Sequence, residues 1–419
     1  MRSRIKLNSW SGLAAAPLLL LAFTVIDQPF APTSAQRPSP KLQQPTSSAV
    51  AVPTFAVALD FDGDGISDYA TVRDSGVPLA FASPNGSRSA VAPASAAIKN
   101  PQVRDTSLGS MHRGHYFKLP GERFDPLAPR LDRPNTVAAN QLQWLINTSG
   151  PSADLGILFG TLNDFPVPAD YDGDLMTDLA VWTGGPVAIF RVLTSSSGFA
   201  TEVDYTLGDG LSDPSIVGDY DGDGLADPAV FNSQAGQWTY LGGPMHAVPI
   251  TVTPIGSFGG GFPVPGDFNG DRKYDFMSET RDGLNPAAGH FYQWNNDGTV
   301  NPTETVNFVF GNYNDVVIPG DYDGDGTTDV GLASVMVNPV AWRVRTSPSG
   351  TLLGPVSFGD PWADWTITGD YNGDGASEFT VWHDPGQFQS LLAPLYSAPT
   401  TDFSWGQSGD YPVAYFNAH

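Results

Sequence analysis

Asp219-Tyr220-Asp221-Gly222-Asp223-Gly224-Leu225-Ala226-Asp227 is the stretch on which the fold turns, because the chain writes it six times. The copies begin at Asp60, Asp170, Asp219, Asp267, Asp321 and Asp370, and read DFDGDGISD, DYDGDLMTD, DYDGDGLAD, DFNGDRKYD, DYDGDGTTD and DYNGDGASE. An acid or its amide stands at positions 1, 3, 5 and 9 of every copy. An aromatic ring always stands at position 2 and a glycine at position 4.

Oxygens at alternate residues of a tight loop suit calcium. That cation takes six to eight hard oxygen ligands in a flexible shell, whereas magnesium insists on a near-octahedral one. The side chains at positions 1, 3, 5 and 9, with the backbone carbonyl at position 7, supply such a set. The first loop offers Asp60, Asp62, Asp64, Ile66 and Asp68; the second offers Asp170, Asp172, Asp174, Met176 and Asp178. The third has Asp219, Asp221, Asp223, Leu225 and Asp227; the fourth has Asp267, Asn269, Asp271, Lys273 and Asp275. The fifth has Asp321, Asp323, Asp325, Thr327 and Asp329; the sixth has Asp370, Asn372, Asp374, Ala376 and Glu378. Up to six calcium sites are therefore expected. The one at Asp267 is the weakest, because Asn269 removes a charge and Arg272 and Lys273 crowd the loop. The second loop departs at Leu175, where a glycine is expected.

The loop is not an EF-hand. That motif closes with a bidentate Glu at position 12 and continues as a helix. Position 12 here is Thr71, Val181, Val230, Ser278, Leu332 or Val381. Apolar runs such as Leu179-Ala180-Val181-Trp182 follow at once and read as strands, so each loop joins two strands.

The formal net charge is −24, and the loop positions hold 22 of the 44 acidic residues. The acidity is thus mainly metal-site charge, which six calcium ions would halve. It argues against nucleic acid as a partner. There is no cysteine to form a disulfide, while the 46 glycines and 37 prolines suit many short strands joined by turns.

The loops are spaced by 110, 49, 48, 54 and 49 residues. A period near 49 points to a propeller or solenoid. Each unit repeats further landmarks: an apolar ring or Leu followed by Gly (Phe159-Gly160, Leu207-Gly208, Phe258-Gly259, Phe310-Gly311, Phe358-Gly359, Trp405-Gly406), a short strand, the loop, a second strand, and a third around an aromatic (Phe190, Trp238, Trp294, Trp342). A polar turn and a fourth strand complete a four-stranded antiparallel propeller blade. In the long gap, Val77–Phe81 and Gln141–Ile146 both read as third strands, so a unit without a calcium loop is expected there. The fold class is therefore all-β, a seven-bladed β-propeller, or six-bladed if the gap is only a loop. The first-strand motif Asp410-Tyr411-Pro412-Val413-Ala414 at the end of the sequence is the half-unit that ring closure needs.

These loops, the preceding Phe-Gly and the period resemble FG-GAP/VCBS repeats, as in the α-subunit propeller of integrins and many exported bacterial proteins. The resemblance covers about residues 53–419 except 84–139. It implies calcium loops between the first two strands of each blade, on one rim. Members of that family include adhesion proteins, lectins and some polysaccharide lyases, so the resemblance speaks to fold and calcium and leaves activity open.

Residues 1–35 have the layout of a signal peptide: Arg2, Arg4 and Lys6, an apolar run from Gly12 to Ile26, then Thr33-Ser34-Ala35. Residues 36–52, rich in Pro, Ser and Gln, read as a disordered linker. The expected location is outside the cytoplasm: secreted, periplasmic or at the cell surface, without a transmembrane segment after cleavage. The stretch 84–139 is a divergent, basic insert or degenerate blade. Between Ser83 and Asn140 lie eight of the 20 basic residues. Arg113, His115, Lys118 and Arg123 are candidate ligand-binding residues there. No motif of nucleophilic, zinc-dependent or nucleotide chemistry occurs, so no catalytic residue is assigned. The leading expectation is a non-catalytic binding or adhesion module for protein or polysaccharide. The rivals are a lyase or hydrolase acting on acidic glycans through the insert, where cations would neutralise a uronate and a base take its proton, and a pure scaffold.

Overall fold

The computed structural model describes residues 59–78, 140–148, 154–162, 164–210, 212–256, 261–361, 364–383, 386–392, 396, 400–408 and 410–413. The expected signal peptide, the linker and the insert 84–139 with Arg113, His115, Lys118 and Arg123 lie outside them.

The described strands form six antiparallel sheets. Their neighbours follow chain order, as a meander of short strands joined by tight turns requires. Blade two, for example, runs Phe165–Pro166, Leu179–Thr183, Ile189–Leu193 and Glu202–Thr206. Blade three has three named strands; its innermost strand shrinks to bridges at Asp213–Phe231 and Gly218–Asp227.

The propeller has six blades, not seven. Tyr69–Pro78 pairs directly with Asn140–Asn147, in register from Tyr69–Asn147 to Asp74–Leu142 and, after a shift, at Pro78–Asn140. Val77 and Pro78 thus end a second strand instead of belonging to a third, and 79–139 falls between strands two and three of one blade. The missing first strand of that blade is Tyr411–Pro412, which pairs with Thr71 and Val72. The two ends of the repeat region close the ring through this pairing, which also covers an otherwise open sheet edge.

Large rings fill the space between blades. Trp144, Trp238, Trp294, Trp342, Phe190 and Phe388 hold the third-strand position, and all are buried. Phe61, Tyr171, Tyr220, Phe268, Tyr322 and Tyr371, at position 2 of the loops, are buried as well. Their burial sets the loops into the core: Tyr171, Tyr220 and Tyr322 each donate their hydroxyl to the carbonyl four residues back, at 2.7, 2.8 and 2.9 Å.

Candidate metal-binding loops

All six loops share one hydrogen-bond scheme. The carboxylate at position 1 accepts the N–H of position 4 on Oδ1, at 2.6–2.7 Å, and that of position 6 on Oδ2, at 2.7–2.9 Å. The acid at position 9 accepts the N–H of position 2, at 2.7–3.0 Å. The backbone curls around the first Asp and is locked by the last. Position 6 is left-handed in every loop, with φ between 68° and 90°. Glycine takes this conformation freely, but Leu175 and Arg272 do so against their Cβ atoms, which is the physical content of the irregularities in loops two and four.

The scheme brings carboxylate oxygens together in five loops. Asp60, Asp62 and Asp68 offer oxygens within 4.8 Å of one another, as do Asp170, Asp172 and Asp178; Asp219, Asp221 and Asp227; Asp321, Asp323 and Asp325; and Asp370, Asp374 and Glu378. Among the described residues loop four forms no such group. There Asn269 turns its amide onto Asp275 Oδ1 at 3.0 Å, and the N–H of Asn296 meets the same oxygen at 2.8 Å. Loop six has the same amide contact, Asn372 to Glu378 at 2.6 Å, and loops two and five the same backbone N–H on the closing acid, so these donors do not by themselves set loop four apart.

The loop carboxylates are costly to leave charged, and Asp275 of loop four, raised to about 8 by burial, shares this with the clustered acids. Burial, followed by repulsion from neighbouring acids, pushes Asp60 and Asp170 up to about 6. Burial likewise raises Asp178 and Asp219 to about 7 and Asp329 to about 8. A divalent cation among these oxygens would reverse the effect. The donor set also fits: in loop two Asp172 Oδ2 accepts from Ser196 at 2.5 Å, while its buried Oδ1 has no hydrogen-bond partner. All-oxygen, carboxylate-rich donors suit a hard cation. Asp60, Asp62, Asp68 and their counterparts would hold it, and bound charge would stabilise the folded loops.

Several residues that serve the site carry no signal in the loop motif. The turn between strands three and four reaches over the closing acid. Ser195 donates its N–H and hydroxyl to Asp178 at 2.6 and 2.7 Å, and Ser347 donates its N–H to Asp329 at 2.7 Å. In loop three the N–H of Gly243 instead meets the position-3 acid, Asp221. In blade three His246 is buried. Its Nε2 faces the Tyr171 carbonyl at 2.9 Å; its Nδ1 faces the Leu241 carbonyl at 3.2 Å and Asp227 at 3.3 Å. Burial opposes its charge, but the bond to Asp227 and the two carbonyls outweigh burial and raise its pKa.

A second series of acids follows the aromatic-Gly pairs Phe159-Gly160, Phe310-Gly311, Phe358-Gly359 and Trp405-Gly406. Asp164, Asp315 and Asp410 each accept the N–H three residues back at 2.8 Å. Asp164 also takes the Thr183 hydroxyl at 2.8 Å, Asp315 takes the Ser334 hydroxyl at 2.7 Å, and Asp364 takes His383 Nδ1 at 2.6 Å. The aromatic-Gly-x-x-x-Asp spacing could have revealed three of them. They tie the entry of each first strand to the end of the second, at the rim opposite the loops.

Fold and loops together define a six-bladed β-propeller with carboxylate-rich loops on one rim, five of which cluster acids that could hold a metal ion. No family model matches the chain, and no curated protein matches it. Among solved structures, a triple arginine-to-alanine mutant of AofleA from Arthrobotrys oligospora is similar with a TM-score of 0.35 and 8% identity, over 68% of this chain and 85% of that chain.

Proposed function

We propose that this protein is an exported, calcium-loaded propeller of the FG-GAP/VCBS type that acts as a non-catalytic binding or adhesion module for protein or polysaccharide. The observation that carries the reading is the set of five carboxylate clusters on one rim. They stand at the offsets that the sequence motif assigns to calcium, on loops braced by neighbouring turns. A ring stiffened in this way offers rigid rims on which turns can present a binding surface. Calcium, abundant outside cells, would load the loops after export and take the stapling role that disulfides play elsewhere.

The test is to incubate the protein with calcium against neutral and acidic polysaccharides and to follow both retention and polymer chain length. Retention without shortening is the expected result for a polysaccharide-binding module. Retention on none of them leaves a protein ligand as the reading. Shortening of an acidic polymer would overturn the non-catalytic assignment and place the chemistry in Arg113, His115, Lys118 and Arg123.

A further inference from the structure

We infer that the acidic loops form one cooperative cation-binding ring, in which each site is coupled to the next through a single peptide group. The inference rests on the calcium reading of the loops and adds to it a rule for how they fill. In every loop the N–H of position 8 donates to the carbonyl of the position-1 Asp in the preceding blade. The six bonds are Ser67 to Asp370 at 2.8 Å, Thr177 to Asp60 at 2.6 Å, Ala226 to Asp170 at 2.7 Å, Tyr274 to Asp219 at 2.7 Å, Thr328 to Asp267 at 2.7 Å and Ser377 to Asp321 at 2.6 Å. They close into a circle, the Ser67 bond joining blade one to blade six.

Each of these N–H groups shares its peptide plane with the position-7 carbonyl, the backbone oxygen that the motif assigns to the cation. A trans peptide is planar, with N–H and C=O pointing in opposite directions. When the N–H of Ala226 points at loop two, the carbonyl of Leu225 therefore points the other way, as a ligand of loop three must. A cation on that carbonyl would polarise the peptide and strengthen the N–H as a donor, and chains of hydrogen bonds reinforce one another in this manner. The acceptor is equally placed to respond. It belongs to the Asp whose carboxylate organises the preceding loop, so ordering that loop fixes the acceptor for the next.

Packing repeats the linkage. The hydroxyls of Ser67 and Thr328 accept the N–H of Asp370 and Asp267, both at 3.0 Å. A Cβ on Gly218 would lie 2.1 Å from the Tyr274 ring and one on Gly266 2.4 Å from Thr328, so at these two junctions the residue before the first Asp must stay a glycine. Loops five, six, one, two and three, which carry the carboxylate clusters, are consecutive around this circle. Loop four is the break.

The test uses calcium alone and the whole protein, read by native mass spectrometry at half-saturating calcium. Coupling of about fivefold or more between adjacent sites predicts a distribution weighted towards cation-free and fully loaded species. Asp178→Asn, in loop two between loops one and three, should lose more than one ion at a calcium concentration that saturates the unmodified protein. A binomial spread of intermediates, or the loss of a single ion in the variant, overturns the coupling while leaving calcium binding intact. No bound ion at any concentration overturns the metal reading itself. The distribution of the unmodified protein decides the matter even if the variant fails to fold.

Discussion

Stripping the cations should destabilise the propeller severely, and in a manner that depends on pH. A ligand that binds only the folded state stabilises it by about 2.7 kcal/mol when present at a hundredfold its Kd. Five clusters filled to that extent and acting additively give roughly 13 kcal/mol. At about 2 °C per kcal/mol for a large domain, the melting temperature should fall by some tens of degrees when the protein is dialysed free of calcium. The stripped protein should then respond to acid in the opposite sense to the loaded one. Without a cation, Asp60, Asp178 and Asp329 hold their protons up to about 6, 7 and 8, against 3.8 ordinarily. The folded state then binds more protons than the unfolded state across that range, so its stability is lost as pH rises through it. Differential scanning calorimetry of stripped protein should show the melting temperature rising as pH is lowered from about 8 to about 5. Calcium-loaded protein should show it falling, as protons displace the cation. A melting temperature indifferent to calcium at neutral pH would refute the metal assignment. A stripped protein that loses stability on acidification across this range would refute the electrostatic account of the clusters.

Other outcomes follow from single contacts. Asn269→Asp should add one calcium ion in native mass spectra, because a carboxylate cannot donate to Asp275 as the amide does. Trp342→Ala should cost about 3–5 kcal/mol in denaturant unfolding, since the ring is buried and its Nε1 bonds the Phe358 carbonyl at 2.8 Å. Asp410→Ala should cost about 1–3 kcal/mol, because it removes the acceptor for the Gln407 N–H and the partner of Arg73, 2.6 Å away, at the ring closure.

The sequence by itself determined the strand-loop-strand unit, the offsets of the acids within each loop and the amide that replaces a carboxylate in loop four. Each is a local matter: side-chain offsets within nine residues, a glycine where φ must be positive, and an asparagine or lysine where a charge should be. It also marked the closing strand at Tyr411, because that strand repeats a motif. The blade count was decided only by tertiary structure. Val77 and Gln141 carry similar apolar patterns, and pattern does not say which strand a strand pairs with; the pairing of Tyr69–Pro78 with Asn140–Asn147 does. Similarly, nothing in the order of residues shows that Ser195, His246 and Ser347 reach back to closing acids 17 to 19 positions away, or that Ser67 meets Asp370 across the whole chain. Those contacts exist because the six sheets close into a ring, which brings every loop against the next around the circle.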